Sequence, residues 1–217
     1  MPGTVLITGA NRGIGAALAT AARARGDTVI GTARAAAYPL LPLDVTDPQA
    51  HGRLAAALAG RPIDVLVCNA GIYADRSERT ETGYPAEMWA ETFAVNVTGV
   101  FLTVQALLPN LRAGRNGKIA IISSQMASTT RAPGGSYIYR ASKAAVLNLG
   151  RNLATDLKAT GISVGIYHPG WVRTDMGGPG AEIDVDAAAS GLLGRIDTLS
   201  PATTGCFEGW DGQPYPF

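Results

Sequence analysis

The chain has 217 residues, 47% of them hydrophobic and 16% charged, with a formal net charge of +1. That length buries a sizeable core in one large α/β domain without help from metals or disulfides. So small a charge, carried by scattered basic residues, excludes a polyanion-binding surface and with it nucleic acid as a partner.

Short β-branched runs alternate with longer alanine- and leucine-rich segments, the pattern of a parallel sheet covered by helices. Strands are expected at Thr4 to Thr8, Thr28 to Ala33, Leu40 to Leu43, Asp64 to Asn69, Lys118 to Ser123, Ile162 to Tyr167 and Gly205 to Glu208. Most are continuously apolar, as strands buried on both faces should be. Helices are expected at Gly13 to Arg25, Pro48 to Ala59, Pro85 to Leu111, Ser136 to Thr160 and Asp186 to Leu199. Only Arg34 to Pro39 joins the second strand to the third, too few residues for a helical crossover, so an extended loop is expected there. Gly177 to Ile183 has no periodicity and lies just beyond a strand end, where substrates usually bind; it is the expected mobile lid.

Cys68 falls in a buried strand and Cys206 near the C-terminus, with neither the number nor the spacing of a zinc site or a disulfide framework. His51 and His168 read as solvated or structural histidines rather than metal ligands. No basic leader precedes the first strand, and no apolar run is expected to reach the roughly 18 residues that span a bilayer. The expected location is a reducing cytoplasm, away from membranes.

Chemistry enters at the first turn, Thr8-Gly9-Ala10-Asn11-Arg12-Gly13-Ile14-Gly15. Gly9, Gly13 and Gly15 follow an apolar strand and open a helix. No Cβ then obstructs the backbone, and a helix N-terminus meets a pyrophosphate. In the fourth expected helix Tyr139 and Lys143 stand four apart and share one face, so an ammonium can lower the pKa of a phenol from its ordinary value of about 10. Of seven tyrosines no other has a lysine at that spacing. A serine from another segment, Ser124 or its neighbour Ser123, can then hold the oxygen of a carbonyl being reduced.

Thr8 to Gly15 resembles the TGxxxGxG turn of the short-chain dehydrogenases/reductases, and further motifs of that family recur in order over nearly the whole chain. The resemblance implies that Asp44 and Val45 meet the adenine ring, that Asn69-Ala70-Gly71 follows the fourth strand, and that Pro169-Gly170 with Val172 and Thr174 lies beside the nicotinamide. It implies a catalytic tetrad of Asn96, Ser124, Tyr139 and Lys143, with Lys143 also on the ribose hydroxyls. It favours Ser124 over Ser123, although the fifteen-residue step from Ser124 to Tyr139 is about two longer than usual for the family. Asn96 would interrupt its helix and position a water joining Lys143 to solvent; read from the residues alone it is a helix-surface asparagine. The run His168 to Pro179 further resembles the C-factor and sniffer-like carbonyl reductases.

Cofactor choice turns on the end of the second strand, Thr32-Ala33-Arg34. Arg34, helped by Arg12, offers a bidentate partner to a 2'-phosphate where a carboxylate would have selected the free hydroxyl, so NADP(H) is expected rather than NAD(H). A solvated Arg34, redirected by the shortened loop, is the alternative.

Taken with the resemblance, residues 1–217 read as a single Rossmann-type domain, a doubly wound α/β sheet of about seven parallel strands, with substrate loops at 72–84, 125–135 and 174–184. The expected activity is hydride transfer between NADP(H) and a small carbonyl or alcohol substrate, with Tyr139 as general acid/base. Met126, Trp171 and Met176 suggest an apolar component in that substrate; the alternative is that they are core residues anchoring their loops. The alternative is a dinucleotide-binding signalling or regulatory protein that does not depend on turnover, against which the intact tetrad argues. A structural assembly subunit has only the aromatic tail Trp210 to Phe217 in its favour, and that tail reads as a subunit contact or a pocket closure. Ala141 to Leu157 is apolar on more than one face (Ala144, Ala145, Val146, Leu149, Leu153, Leu157), so a homodimer or homotetramer is expected.

Overall fold

A computed structural model describes residues 2–217. Its sheet has seven parallel strands, β1 (Thr4–Ile7), β2 (Thr28–Ala33), β3 (Leu41–Pro42), β4 (Val65–Cys68), β5 (Lys118–Ile122), β6 (Ser163–His168) and β7 (Phe207–Gly209), in the order β3-β2-β1-β4-β5-β6-β7. The helices are α1 (Gly13–Ala24), α2 (Pro48–Ala57), α3 (Ala86–Phe93), α4 (Gly99–Ala113), α5 (Tyr137–Lys158) and α6 (Val185–Thr198). Side chains alternate between the two faces of a strand, and both faces here are covered. Val5 and Ile7 of β1 join Val65 and Val67 of β4 in a core under α1 and α6, whereas Leu6, Leu66 and Cys68 point to a second core under α2, α4 and α5. That double burial is why the strands lack polar alternation.

The strand order reverses direction between β1 and β4. In such a sheet the carboxyl ends diverge there and leave a crevice. Thr8, Asn69, Ser123 and Pro169 each stand just past the carboxyl end of a strand flanking or neighbouring that crevice.

The expected loop after β2 is present. β3 is only two residues long, and Leu40 packs so closely on Gly31 that a Cβ there would stand 2.6 Å from its methyl. The long third helix departs from expectation. A π-helical turn, Ala94–Thr98, separates α3 from α4. With its flanking helices it makes a 28-residue stretch long and apolar enough, by length and composition, to cross a membrane, which corrects the sequence reading of no such run. Val100, Val104, Leu107 and Leu111 of this stretch are packed into the second core, the position of a sheet-covering helix. Gly99 lets α4 approach the chain after β3, where a Cβ would lie 2.8 Å from Val45.

The caps differ in a way that bears on the site. Asp47 caps α2 by accepting from the Gln49 amide at 2.8 Å, and Asp184 caps α6 through Ala187 at 2.7 Å. The residues before α1 and α5, Arg12 and Ser136, make no side-chain cap.

Candidate active site

The glycine turn is built by backbone demands. Gly9 and Gly13 have φ of 65° and 52°, and a Cβ on Gly15 would meet the Gly9 carbonyl at 2.2 Å. Asn69 pins the turn from β4: its Nδ2 donates to the carbonyls of Thr8 and Gly9 at 3.0 and 3.1 Å, while the amides of Asn69 and Ala70 donate to Thr8 Oγ1. The first-turn amides of α1 therefore face the crevice without an acidic side chain or a cap to occupy them, as an anion site requires. Asn11 and Arg12 are exposed on the turn, and Arg12 pairs with Asp175 at 2.8 Å.

At the far end of the crevice, Asp44 Oδ1 accepts from the amide and hydroxyl of Thr46 at 2.9 and 2.7 Å. These bonds, with a smaller contribution from Arg34, hold its carboxyl below the usual range. Arg34 itself is exposed at the end of β2. Beyond β6, Gly170 has a φ of 89° and backs onto Ile183 and Trp210, leaving no room for a Cβ. Val172 is buried and bridges Ile183, and Thr174 lies over Gly13.

The polar groups proper converge on α5. Tyr139 and Lys143 are 7% and 5% exposed, one helical turn apart on its inward face. Lys143 Nζ donates to the Ile122 carbonyl at 2.9 Å and stands 5.5 Å from the Tyr139 ring centre. Burial holds the Lys143 ammonium down to about 8. Burial also pushes the Tyr139 phenol up to about 12, with the Ser124 hydroxyl and Arg76 pulling it down and Tyr73 and Asp75 adding to the rise. The expected lowering of the phenol by Lys143 is thus not what the protein alone displays. The ammonium is turned onto a carbonyl, and desolvation outweighs its field.

The two serines separate cleanly. Ser123 Oγ donates to the Lys143 carbonyl at 3.1 Å, fastening α5 to β5. Ser124 Oγ accepts from the Met126 amide at 3.1 Å, and its hydroxyl is turned to Tyr139, whose phenol it pulls down. The π-helical turn explains Asn96: the added residue swings its side chain inward, where Oδ1 accepts from the Ile72 amide and Nδ2 donates to the Ile72 carbonyl and to Ser142 Oγ, all at 2.9–3.0 Å. It is 1% exposed, not a surface asparagine. Asn96 Oδ1 and Lys143 Nζ flank Gly71, where a Cβ would meet both within 3.5 Å.

Within the expected substrate loop 72–84, three residues have roles that the sequence does not single out. Asp75, 1% exposed, caps α5 from 63 residues away, accepting from the Ile138 amide at 2.8 Å and more weakly from that of Tyr139 at 3.3 Å. Tyr73 stacks on the Tyr139 ring with centres 4.2 Å apart and bonds Ser136 Oγ at 2.5 Å. Arg76 lies over Tyr73 and donates to the Met176 carbonyl in the expected substrate loop 174–184. No local signature announces a cap or a stack formed across such a separation.

Ile14, Ser124, Tyr139, Pro169, Gly170, Val172 and Thr174 line one cleft of about 480 Å³, with Trp171, Met176, Met126, Tyr73 and Arg76 completing its walls. Trp171 and Met176 are 49% and 39% exposed, and Trp171 Nε1 donates to the Gly177 carbonyl at 2.9 Å, so both serve the cleft rather than the core. The aromatic tail turns inward, with Trp210 behind Gly170 and Tyr215 edge-on to His168 at 5.3 Å. Both histidines are buried: His51 Nε2 pairs with the Val45 carbonyl at 3.1 Å, and burial, aided by Arg131, holds His168 down to about 4.

A family model described as short chain dehydrogenase matches residues 3–182. The chain is 39% identical over 157 residues to C-signal of Myxococcus xanthus, covering 72% of this chain and 93% of that protein. Its structure is similar to carbonyl reductase Sniffer of D. melanogaster, with a TM-score of 0.91, 28% identity and full coverage of both chains. An NADPH-bound carbonyl reductase from chicken fatty liver gives a TM-score of 0.88 at 28% identity, covering 100% and 99%.

Proposed function

The chain belongs to the short-chain dehydrogenase family of oxidoreductases, and we propose that it is an NADP(H)-dependent carbonyl reductase, also able to run as an alcohol dehydrogenase, with Tyr139 as general acid/base. The observation that carries the reading is the single cleft in which Ser124 and Tyr139 share walls with the glycine-turn residue Ile14 and with Pro169, Gly170, Val172 and Thr174. The NADPH-bound relative from chicken supports the choice of cofactor.

The residues present fit that cofactor. The uncapped start of α1 with Gly9, Asn11, Arg12, Gly13, Ile14 and Gly15 would hold the pyrophosphate, Asp44 and Val45 the adenine, and Arg34 the 2'-phosphate. Asn69, Ala70, Gly71, Lys143, Pro169, Gly170, Val172 and Thr174 would hold the nicotinamide ribose and ring. When bound, the nicotinamide supplies or accepts the hydride.

The chain's own residues then handle the oxygen. Ser124, its Oγ held by the Met126 amide, donates a hydrogen bond to the substrate oxygen and keeps its proton, stabilising charge that develops there. Tyr139 gives that oxygen a proton in reduction. Burial pushes that phenol up to about 12, so at neutral pH it carries the proton that reduction consumes. Oxidation needs the phenolate, which Lys143 favours once its ammonium is turned toward the phenol and ribose. Asn96 fixes the segment after β4 against α5 and so places Gly71 beside Lys143.

In this reading the protein works in the cytoplasm as a homodimer or homotetramer. Much of the apolar face of α5 is used within one chain, since Val146, Leu153 and Leu157 are buried, which narrows the expected surplus. Ala144, Ala145 and Leu149 remain half-buried, and Phe101 on neighbouring α4 is exposed, leaving an apolar strip for a second copy.

The test is Tyr139→Phe assayed for NADPH consumption across a panel of aldehydes and ketones. Turnover should fall by roughly 10²- to 10⁴-fold with NADPH still bound. Near-normal turnover would overturn the assignment.

A further inference from the structure

The cleft that holds Ser124 and Tyr139 has a neighbour. Gln125 and Met126 also form a wall of a second cleft of about 440 Å³, lined otherwise by Arg131, Ala132, Pro133 and Arg140. Neither lining contains a carboxylate, whereas together they contain three guanidinium groups, those of Arg76, Arg131 and Arg140.

Each of these arginines is steadied by neutral acceptors. Arg76 donates to the Met176 carbonyl, Arg131 to Gln125 Oε1, and Arg140 Nε to the Gly135 carbonyl at 3.1 Å. Among the described residues, the ion pairs involve other arginines. A guanidinium held this way is oriented but not neutralised, and it retains donors for a further acceptor. Arg131 also bears on the His168 imidazole, part of the first cleft's lining: after burial it is the next influence holding that ring neutral, and Asp211 opposes it more weakly. Between the two polar ends the shared wall carries the apolar side chain of Met126.

We propose that the substrate is a carbonyl compound with an anionic group, a carboxylate or phosphate, joined to the carbonyl by an apolar stretch, and that Arg131 and Arg140 bind that anion while Ser124 and Tyr139 hold the carbonyl. This rests on the oxidoreductase reading above and names its substrate class. Arg76 adds a third positive charge at the cleft wall. Charge-assisted bonds from arginine are the strong ones, but these groups are open to solvent, so the preference is moderate and falls with salt.

The experiment compares straight-chain aldehyde acids of increasing length with their methyl esters, and with aldehydes ending in phosphate, under NADPH. At the best length kcat/KM for the acid should exceed that for the ester by about tenfold at low ionic strength, and the ratio should shrink as salt is added. The acid and phosphate series separate the two anion types. Arg131→Lys, which keeps the charge, should retain most of the ratio; Arg131→Gln with Arg140→Gln should bring it close to one. Esters as good as acids, or a preference that survives the double substitution, overturns the proposal. Calorimetry with an unreactive dicarboxylate of the best length against its diester reads the subsite without turnover. If neither series is reduced, the activity assignment fails; saturable diacid binding that the double variant loses would still support the anion site, and no binding would end it.

Discussion

Removing the Asp75 carboxylate should loosen the start of α5 and with it the placement of Tyr139. Ser136, the residue in the local capping position, has a φ of 50° and makes no side-chain cap, so the first-turn amides of Ile138 and Tyr139 rely on Asp75. The 2.8 Å bond from Ile138 is a full charged-acceptor hydrogen bond, worth about 1.5–3 kcal/mol, and the 3.3 Å contact adds a fraction of that. At 1% exposure water cannot readily replace the lost acceptor. Asp75→Ala should therefore cost about 2–3 kcal/mol, a fall in Tm of roughly 5–10 °C for a chain of this length. Asp75→Asn keeps an oxygen in place without the charge and should cost about 1 kcal/mol. Thermal and urea unfolding, with an unchanged m-value, measure the effect. Because Asp75 also helps keep the Tyr139 phenol high, both variants should lower the apparent pKa on the alkaline side of the kcat profile. An alanine variant that melts within about 1 °C of the parent would show that α5 is capped by something else.

Lys143→Met tests the buried ammonium. Its folded pKa of about 8 lies below the ordinary 10.5, so between those values unfolding takes up a proton and the parent's stability rises with pH, by up to about 1.4 kcal/mol per unit relative to the variant. Urea titrations giving parallel pH curves for the two proteins would contradict this. Arg34→Ala should weaken NADPH by about tenfold, the low end for a charge-assisted bond from so exposed a side chain, and leave NADH nearly unchanged. Equal losses for both cofactors in calorimetry would remove Arg34 as the discriminator. Phe101→Arg should convert the oligomer to monomer in sedimentation at micromolar concentration, and an unaltered assembly would place the subunit contact elsewhere.

The alternation of apolar strands with alanine-rich helices was legible because both faces of the sheet are covered, and the strand and helix limits moved by only a residue or two. The helix through Asn96 was harder. Propensity alone makes that residue a surface asparagine, and only a π-helical turn turns it inward to Ile72 and Ser142. Glycines could be read from the sequence because their reason is local: φ above zero at Gly9 and Gly13, no space at Gly15. Asp75, Tyr73 and Arg76 could not, since their partners lie far off in sequence and any loop tolerates those residue types. The electrostatics of Tyr139 failed for a related reason. Spacing places a lysine near a tyrosine but does not say how much water burial removes or which way the ammonium turns.

The ion pair between Arg12 and Asp175 joins the glycine turn to the segment beyond β6, and with its side chains 68% and 80% exposed it contributes at most about 1 kcal/mol. Such a bond favours the joined state over the parted one by a factor of about five or less. The ion pair itself therefore breaks for a sizeable share of the time, and an anion that takes Arg12 from Asp175 loses at most that factor in apparent affinity. The pair sets how readily Arg12 is released to a ligand rather than how stable the protein is, and raising the ionic strength should weaken it without melting anything.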